Sequence, residues 1–210
     1  MNPAARGRFI TFEGGEGAGK STQARRLADR LTAGGRKTVL TREPGGSPGA
    51  EQIRKLLVEG EPERWSPLVE TLLFLAARAD HVARVIEPAL SAGNWVICDR
   101  FIDSTVVYQG IARGLGAPRV RALQRAAGAL EPDLTIIVDV DPRAGLMRTQ
   151  TRGKSENRFE QFDSGFHARL RDAFLEIARE EAQRCVIVDG SRGVEIVAAD
   201  IWRVVTERFA

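Results

Sequence analysis

A glycine-rich stretch near the amino end restricts the possible folds of this chain more than any other feature. Residues 14–21 read GGEGAGKS and fill every fixed position of the pattern G-x-x-x-x-G-K-[ST]. They directly follow residues 8–13, whose apolar alternation is typical of a strand. A strand, a glycine turn and a helix in this order gather backbone N–H groups and the positive end of a helix dipole around one anion. The alternative, a turn that only joins strand to helix, would not need the Lys-Ser pair.

The side chains of this loop suit a nucleoside triphosphate. Lys20 can reach the β- and γ-phosphates, and Ser21 can ligate Mg²⁺. Gly14, Gly17 and Gly19 allow backbone conformations and a close phosphate approach that a Cβ would obstruct. We therefore expect the nucleotide to be bound by Gly14, Gly15, Glu16, Gly17, Ala18, Gly19, Lys20, Ser21 and Thr22.

The length and the charge of the chain favour a single domain that binds small anions. The 210 residues are 43% apolar, which suits a single α/β domain spanning residues 1–210. The formal charge is +3 and no uninterrupted basic tract occurs, so nucleic acid is not an expected partner.

The sequence also bears on location. The first seven residues, MNPAARG, lack the apolar core of a secretory signal, and no stretch approaches the roughly 20 apolar residues of a membrane span. Cys98 and Cys185 lie in short apolar runs, where small buried side chains are expected in preference to a disulfide, a metal site or a catalytic thiol. We expect a cytoplasmic protein with no membrane association.

Strand-like and helix-like segments alternate along the chain. Strand patterns occupy residues 9–13, 38–42, 95–99, 135–139 and 186–189. Such alternation predicts an α/β fold with a five-stranded parallel sheet and helices on both faces. Together with the glycine-rich loop after the first strand, this predicts a fold of the P-loop NTPase type.

Three helices and a short lid are expected between the strands. Helical periodicity covers residues 68–90 and brings Leu72, Leu75, Val82, Val85 and Ile86 near one face. Further helices are predicted over residues 117–130 and from Pro142 onward. Residues 150–164 are almost wholly polar, which indicates a mobile lid or a solvated loop without a role.

The four predicted strands after the first each end in a charged residue: Arg42, Asp99, Asp139 and Asp189. Ligands of open parallel sheets gather at the carboxyl ends of the strands. Asp99 is therefore a candidate to hold Mg²⁺ together with Ser21, either directly or through water. The alternative is an aspartate that caps the next helix.

Several motifs together make the chain resemble the thymidylate kinase family, bacterial type. They span nearly the whole sequence and are FEG at residues 12–14 running into the phosphate loop, TREPGG at 41–46, LFLAAR at 73–78, CDRFIDST at 98–105 with YQG at 108–110, and RG at 152–153 with NRFE at 157–160. The resemblance implies transfer of the γ-phosphoryl group of ATP to dTMP, with Mg²⁺ as cofactor.

The resemblance assigns residues to the thymine base and the sugar. It implies that Phe74 stacks on thymine and that Arg78, one helical turn later, reaches its edge; an i,i+4 pair can meet one ligand. It places Thr105 and Gln109 at the base and makes Tyr108 the ring that crowds the 2′ position. Without the resemblance, Phe74 is equally suited to an ordinary core, and the polar residues, including Ser104, to a helix end.

The resemblance also assigns residues to the phosphate and to the chemistry. It implies that Arg54 and Arg100 hold the dTMP phosphate, where planar guanidinium forks suit bidentate binding; a solvated helix face is the alternative for Arg54. Glu16 is expected near the 3′-hydroxyl, and Glu43 is expected toward the acceptor site. The attacking phosphate is largely dianionic at neutral pH, so catalysis needs positioning and cations more than a base.

The lid is the expected source of some of those cations. No arginine lies between Gly14 and Gly19, so the resemblance implies that Arg152, Lys154 or Arg158 supplies one, with Arg158 ranked first as transition-state arginine. Arg152, Arg158, Lys20 and Arg100 are thus the predicted catalytic residues. The sequence departs from the commoner family pattern at Phe101, Asn157 and Phe159, which bears on lid geometry more than on the assignment.

Two other functions remain open at this stage. One is a different P-loop nucleoside or nucleoside monophosphate kinase, which a screen of acceptors would distinguish. The other is a nucleotide-binding module without catalysis, against which Lys20, Asp99 and Arg100 argue. The resemblance further implies a homodimer built on helix faces, and the leucine-rich residues 68–90 could supply one, although a plain core explains them as well.

Overall fold

The structure, a computed structural model, describes residues 6–149 and 158–210. Its centre is a five-stranded, fully parallel sheet in the order β2-β3-β1-β4-β5. The strand bounds are β1, Phe9–Glu13; β2, Thr38–Arg42; β3, Trp95–Asp99; β4, Leu134–Asp139; and β5, Cys185–Asp189. The predicted fold class is confirmed, and three of the five strands have the predicted bounds. The other two begin one residue earlier than their apolar pattern indicates.

Helices connect the strands and cover both faces of the sheet. They are α1, Lys20–Ala33; α2, Pro48–Val58; α3, Pro67–His81; α4, Glu87–Ser91; α5, Ile102–Thr105; α6, Ala117–Ala126; α7, Pro142–Thr149; α8, Ser164–Glu180; and α9, Val194–Arg208. Two π-helical segments, Val82–Ile86 and Val106–Ala112, extend α3 and α5, and Arg158–Gln161 forms a 3₁₀ helix.

Local signals account for several helix starts. Ser47 and Ser66 cap α2 and α3 by accepting a backbone N–H three residues later, and each is followed by a proline at the first helical position. Asp163 caps α8 in the same way, accepting from the backbone N–H of Phe166 at 2.7 Å. The amino ends of these helices are therefore encoded in their first four residues.

The predicted helix over residues 68–90 exists as α3, a π-helical segment and α4 in continuous succession. Leu75, Val82 and Ile86 are buried, and Val85 is half-buried. Leu72 is 48% exposed, so the residues predicted to lie near one face differ in their burial.

Two further predictions differ in detail. Helix α6 ends at Ala126 rather than near residue 130, because Gly128 takes a left-handed φ of 72° directly afterwards. Residues 150–157 of the predicted lid lie outside the described residues, and the rest of it is the 3₁₀ helix and the start of α8.

The sheet order places the glycine-rich loop at the centre of one edge. Strand β1 is buried along its whole length and lies between β3 and β4, so the loop that follows it is flanked by the carboxyl ends of both neighbours. In the part of the chain that the structure describes, no helix is long and apolar enough to cross a membrane.

Candidate active site

The glycine-rich loop wraps around the side chain of its own lysine. Helix α1 begins at Lys20 directly after Gly19, which adopts a left-handed φ of 96°. The Lys20 Nζ is buried and donates to the backbone carbonyl of Gly15 at 2.6 Å. The loop thus brings an ammonium group and the amino end of a 14-residue helix to one place, which is the geometry that binds phosphate.

Two glycines allow the loop to pack closely against the backbone of α7 and β4. A Cβ built on Gly17 would lie 1.9 Å from the carbonyl oxygen of Gly145 in α7, and one on Gly14 would lie 2.4 Å from that of Val138 in β4. Both glycines also have positive φ values. A side chain at either position would displace the loop from the sheet.

Ser21 and Asp99 form the predicted oxygen pair at the edge of the sheet. The Ser21 hydroxyl, on the exposed side of α1, donates to Asp99 Oδ2 at the end of β3. A hydroxyl and a carboxylate are hard oxygen donors that suit Mg²⁺. Among the described residues no group of three or more His, Cys, Asp or Glu side chains could hold a metal.

The residue after Asp99 has an unusual backbone conformation that directs a guanidinium back to the loop. Arg100 has a φ of 68°, which is rare outside glycine. Its side chain donates to the Gly14 carbonyl at 3.1 Å, to Ser104 Oγ at 3.2 Å and to Glu16 Oε1 at 2.9 Å. This turn places a permanent positive charge between the loop and the segment that follows β3.

A cleft opens beside Arg100. Its walls come from the glycine-rich loop, α2, α3 and the segment after β3. All of the predicted acceptor residues line it: Glu16, Glu43, Arg54, Phe74, Arg78, Arg100, Ser104, Thr105, Tyr108 and Gln109. Sequence separation between these residues reaches 93 positions, and the fold brings them together.

The floor of the cleft carries a buried ion pair. The Arg78 Nε donates to Glu43 Oε2 at 2.7 Å, and its Nη2 donates to the carbonyl of Phe101 and to Thr105 Oγ1 at 2.9 and 3.0 Å. The Nη1 nitrogen is buried and has no hydrogen-bond partner among the described residues. His81 binds the other oxygen of Glu43 at 3.1 Å. Arg78 is therefore fixed by three hydrogen bonds, while one of its donor nitrogens is left without a partner among the described residues.

Arg54 reaches the cleft from α2. Its Nη1 donates to the carbonyl of Pro44 at 2.5 Å. This contact ties the helix to the loop after β2 and keeps a second guanidinium beside the cleft.

Aromatic rings form the remaining wall. The Tyr108 hydroxyl donates to Glu16 Oε1 at 2.8 Å, and the Arg100 guanidinium carbon lies 5.0 Å from the centre of the Tyr108 ring. Phe159 meets Tyr108 edge to face, with ring centres 5.5 Å apart, and lies 6.2 Å from the Phe74 ring. An apolar slot bounded by rings, with polar groups at its floor, suits a planar base.

Charges around the cleft shift the pKa values of its carboxylates and amine. Burial raises the pKa of Glu16, but the nearby Arg100 and Lys20 outweigh this effect and lower it to about 2. Burial, followed by repulsion from Arg100, lowers the pKa of Lys20 to about 8. Burial and the nearby Asp103 carboxylate raise the pKa of Glu13 to about 7. At neutral pH the Glu16 carboxylate of the loop is therefore ionised and lies near two cations, Lys20 of the loop and Arg100 after β3.

Sequence reasoning did not single out Glu13 as a site residue. It is the last residue of β1 and accepts from the Phe101 N–H at 2.8 Å, the Ser104 N–H at 3.2 Å and Ser104 Oγ at 2.6 Å. These bonds fix the turn that carries Arg100. The signal available in the sequence was an acid at the end of an otherwise apolar strand.

Five further lining residues were also absent from the predicted acceptor set: Pro44, Val58, Phe101, Phe159 and Glu160. Phe159 and Glu160 follow Arg158 in the NRFE motif, which the sequence assigned to the lid rather than to the acceptor cleft.

Of the three predicted lid cations, the structure describes Arg158. Arg152 and Lys154 lie outside the described residues. Arg158 is fully buried, with its Nη1 2.5 Å from Glu70 Oε2, and it donates to the backbone carbonyls of Leu57, Glu61 and Pro62. These contacts hold it behind the cleft wall, and its role as a transition-state cation stays a prediction.

Comparison with known proteins points to one family. The family model described as "Thymidylate kinase" matches residues 12–201. The chain is 56% identical over 199 residues to a thymidylate kinase of Ruegeria pomeroyi, covering 95% of this chain and 94% of the relative. It is 52% identical over 204 residues to a thymidylate kinase of Magnetococcus marinus, covering 97% of each.

A solved structure agrees with the sequence matches. The crystal structure of thymidylate kinase from Ehrlichia chaffeensis superposes with a TM-score of 0.77 at 35% sequence identity. The match covers 96% of this chain and 99% of the other. The likeness therefore extends over the sheet, the glycine-rich loop and the cleft together.

Proposed function

The chain belongs to the thymidylate kinase family and transfers the γ-phosphoryl group of ATP to dTMP; from this premise we propose which residues bind each substrate and which act in the transfer. The cleft beside Arg100 takes dTMP, and the glycine-rich loop takes the phosphates of ATP. The observation that carries the proposal is the buried Arg78 Nη1, a charged donor at the cleft floor without a partner among the described residues. A buried unsatisfied donor is costly, and a ligand acceptor removes that cost.

The thymine base lies in the ring-walled slot of the cleft. Phe74 stacks on one face of the base, and Arg78 donates to a carbonyl oxygen on its edge. Thr105 and Gln109 provide the remaining polar contacts with the base. The Arg78–Glu43 pair keeps the donor in place before substrate arrives, so little ordering is needed on binding.

The sugar and phosphate of dTMP extend toward the glycine-rich loop. Tyr108, packed between Phe159 and the core, crowds the 2′ position, and Glu16 faces the 3′-hydroxyl. Arg54, Arg100 and Ser104 hold the phosphate. Since thymine and uracil differ by one methyl group, we expect dUMP to be used about 10–200-fold less efficiently than dTMP.

The ATP phosphates occupy the loop from Gly14 to Thr22, and Lys20 contacts the β- and γ-phosphates. Mg²⁺ fits beside Ser21 and Asp99, where it would neutralise charge on the transferring phosphoryl group and on the leaving group. Lys20 and Arg100 both bring positive charge to the reaction centre and counter the repulsion between the two anionic substrates. Arg152 and Arg158 stay predicted contributors of positive charge.

A homodimer and a cytoplasmic location complete the proposal. Val69 and Leu72 are 40% and 48% exposed on the outer face of α3, and Leu56 on the neighbouring α2 is 39% exposed. Three large apolar side chains on adjacent helices favour a helix-to-helix contact between two copies. The location rests on the sequence alone.

Arg78→Met tests the acceptor site. We expect it to raise KM for dTMP by about tenfold or more, because it removes the donor to the base, while KM for ATP stays within about twofold. The assay couples ADP release to a visible signal, with dTMP, dUMP, dCMP and AMP offered in turn. Arg84, an exposed arginine of the next helical segment, provides the control variant Arg84→Met, expected to match the wild type. An unchanged KM for dTMP in Arg78→Met would remove Arg78 from the base site.

The lowered pKa of Lys20 predicts proton uptake when ATP binds at high pH. Free Lys20 loses its proton as the pH rises through about 8, and the ATP phosphates favour its charged form. Above pH 8, ATP affinity should therefore fall with pH, and at pH 9 binding should take up close to one proton. At pH 9 Glu13 and Glu16 are already ionised, since their pKa values are about 7 and about 2, so the proton taken up is assigned to Lys20. Calorimetry in two buffers of different ionisation enthalpy measures the uptake, and the prediction fails if Lys20→Met takes up as much.

A further inference from the structure

We infer that Glu70 is a positioning residue for the dTMP site, which it serves by orienting Gln109 and by anchoring Arg158 so that Phe159 forms the cleft wall. The inference rests on the proposed placement of dTMP in the cleft. Glu70 lies on α3 one turn before Phe74 and two turns before Arg78. The same helix face therefore carries both the anchor and the base contacts.

The Glu70 carboxylate is fully buried and uses both of its oxygens. Oε1 accepts from Gln109 Nε2 at 2.8 Å. Oε2 lies 2.5 Å from Arg158 Nη1 and accepts from Arg113 Nη1 at 3.0 Å. One carboxylate thus joins three segments that are far apart in the sequence: α3, the π-helical segment after α5 and the 3₁₀ helix.

This arrangement determines which way the Gln109 amide points. A carboxylate only accepts hydrogen bonds, so the NH₂ group of Gln109 must face Glu70. The amide carbonyl oxygen is then left as an acceptor for the cleft that Gln109 lines. The N3–H of thymine is a donor, and an oriented acceptor selects for it over a base with an unprotonated ring nitrogen at that position.

Arg158 connects the 3₁₀ helix to the end of α2. Its Nε donates to the carbonyl of Glu61 at 2.9 Å, its Nη1 to that of Leu57 at 3.1 Å and its Nη2 to that of Pro62 at 2.5 Å. Leu57 lies in the last turn of α2, where carbonyls lack partners within the helix and the dipole favours a cation. All three guanidinium nitrogens take part in this anchor.

The anchor places the next residue in the chain. Phe159 follows Arg158 directly and packs between the rings of Tyr108 and Phe74, where it lines the cleft. A shift of the 3₁₀ helix would remove a ring from the slot that holds the base. The Glu70–Arg158 pair therefore acts on dTMP affinity through Phe159 and not by touching the nucleotide.

Arg113 makes a matched control possible. It binds the same Glu70 oxygen and also donates to the carbonyls of Pro62 and Trp65, with its side chain 5% exposed. It is not among the described residues that line the cleft. Removing either arginine leaves Glu70 paired with the other, so neither variant strands an unpaired buried charge, which is the costly case.

The experiment compares Arg158→Met with Arg113→Met by calorimetry with dTMP alone, by steady-state kinetics and by thermal melting. We expect Arg158→Met to weaken dTMP binding, measured by calorimetry, about tenfold. Arg113→Met should keep dTMP affinity within about threefold. Glu70→Gln should resemble Arg158→Met, and the double variant should add less than the sum of the two effects.

Two results would overturn the inference. The first is a loss of kcat of a hundredfold or more in Arg158→Met with unchanged dTMP affinity, which would make Arg158 a transition-state cation. The second is equal weakening of dTMP binding in both arginine variants, which would reduce the network to general stability. Failure of the acceptor site itself would show separately, as an unchanged KM for dTMP in Arg78→Met.

Discussion

Replacing Lys20 with Ala is expected to lower kcat by about a thousandfold or more while dTMP affinity stays within about threefold of the wild type. Lys20 is the basic side chain that the loop itself supplies, since residues 14–19 contain none. Its ammonium is buried at the start of α1 and held by the Gly15 carbonyl, so it is positioned before ATP arrives. The cation that meets the donor phosphates would be lost, whereas the dTMP cleft would keep all of its lining residues.

Steady-state kinetics measures the first half of this prediction, and calorimetry with dTMP alone measures the second. Lys37 offers a matched control because it is an exposed lysine just before β2, at the opposite edge of the sheet. Lys37→Ala should match the wild type in both measurements. A tenfold loss of dTMP affinity in Lys20→Ala would mean that donor and acceptor sites are not separable in the way described above.

The sheet was predictable because its determinants are local. Each strand is a short apolar run bounded by polar residues or glycine, and the alternation with helical segments requires parallel pairing. The apolar pattern did not include the first residue of β4 or of β5, which shows the limit of that reasoning. Leu134 and Cys185 are apolar and buried, and their inclusion depends on pairing with neighbouring strands rather than on their own pattern.

The position of individual side chains was less predictable, because it depends on partners far away in the chain. Leu72 repeats at helical spacing with the buried Leu75, yet it faces outward. Arg158 is a cation in a polar stretch, which favours exposure, yet it is buried against Glu70, 88 positions earlier. No local pattern indicates which buried carboxylate accepts which arginine. Such pairs form where burial makes an unpaired charge too costly.

The acceptor cleft also combines features that the local sequence predicts with features that depend on distant parts of the chain. The spacing of Phe74 and Arg78 on one helix face is a local signal, and it predicts a shared ligand. The approach of Arg54, Glu43 and Gln109 to that face is a tertiary property. The family resemblance supplied it, since the residues themselves suited helix ends and solvated faces equally well.

Arg100 connects the two substrate sites, and its replacement is the second change with a large expected effect. The guanidinium touches the loop at Gly14 and Glu16 while it lines the dTMP cleft. Its charge lowers the pKa of Glu16 to about 2 against the effect of burial. Without it, the Glu16 carboxylate and the incoming phosphate would repel each other, and the attacking oxygen would lose a positively charged neighbour.

We expect Arg100→Ala to lower kcat/KM for dTMP by about 10³–10⁵, with both kcat and KM affected, because the residue binds the acceptor and also counters charge in the transition state. Arg100→Lys should recover only part of this loss, since an ammonium cannot reach Gly14, Ser104 and Glu16 together. Arg203→Ala, at an exposed arginine of α9, is the control and should match the wild type. Circular dichroism and thermal melting establish that each variant is folded.

The positive φ of Arg100 is held by the hydrogen bonds that Phe101 and Ser104 donate to Glu13. Glu13→Gln should therefore also lower kcat/KM for dTMP, but by less than Arg100→Ala does. A loss smaller than tenfold in Arg100→Ala would place the acceptor phosphate elsewhere in the cleft.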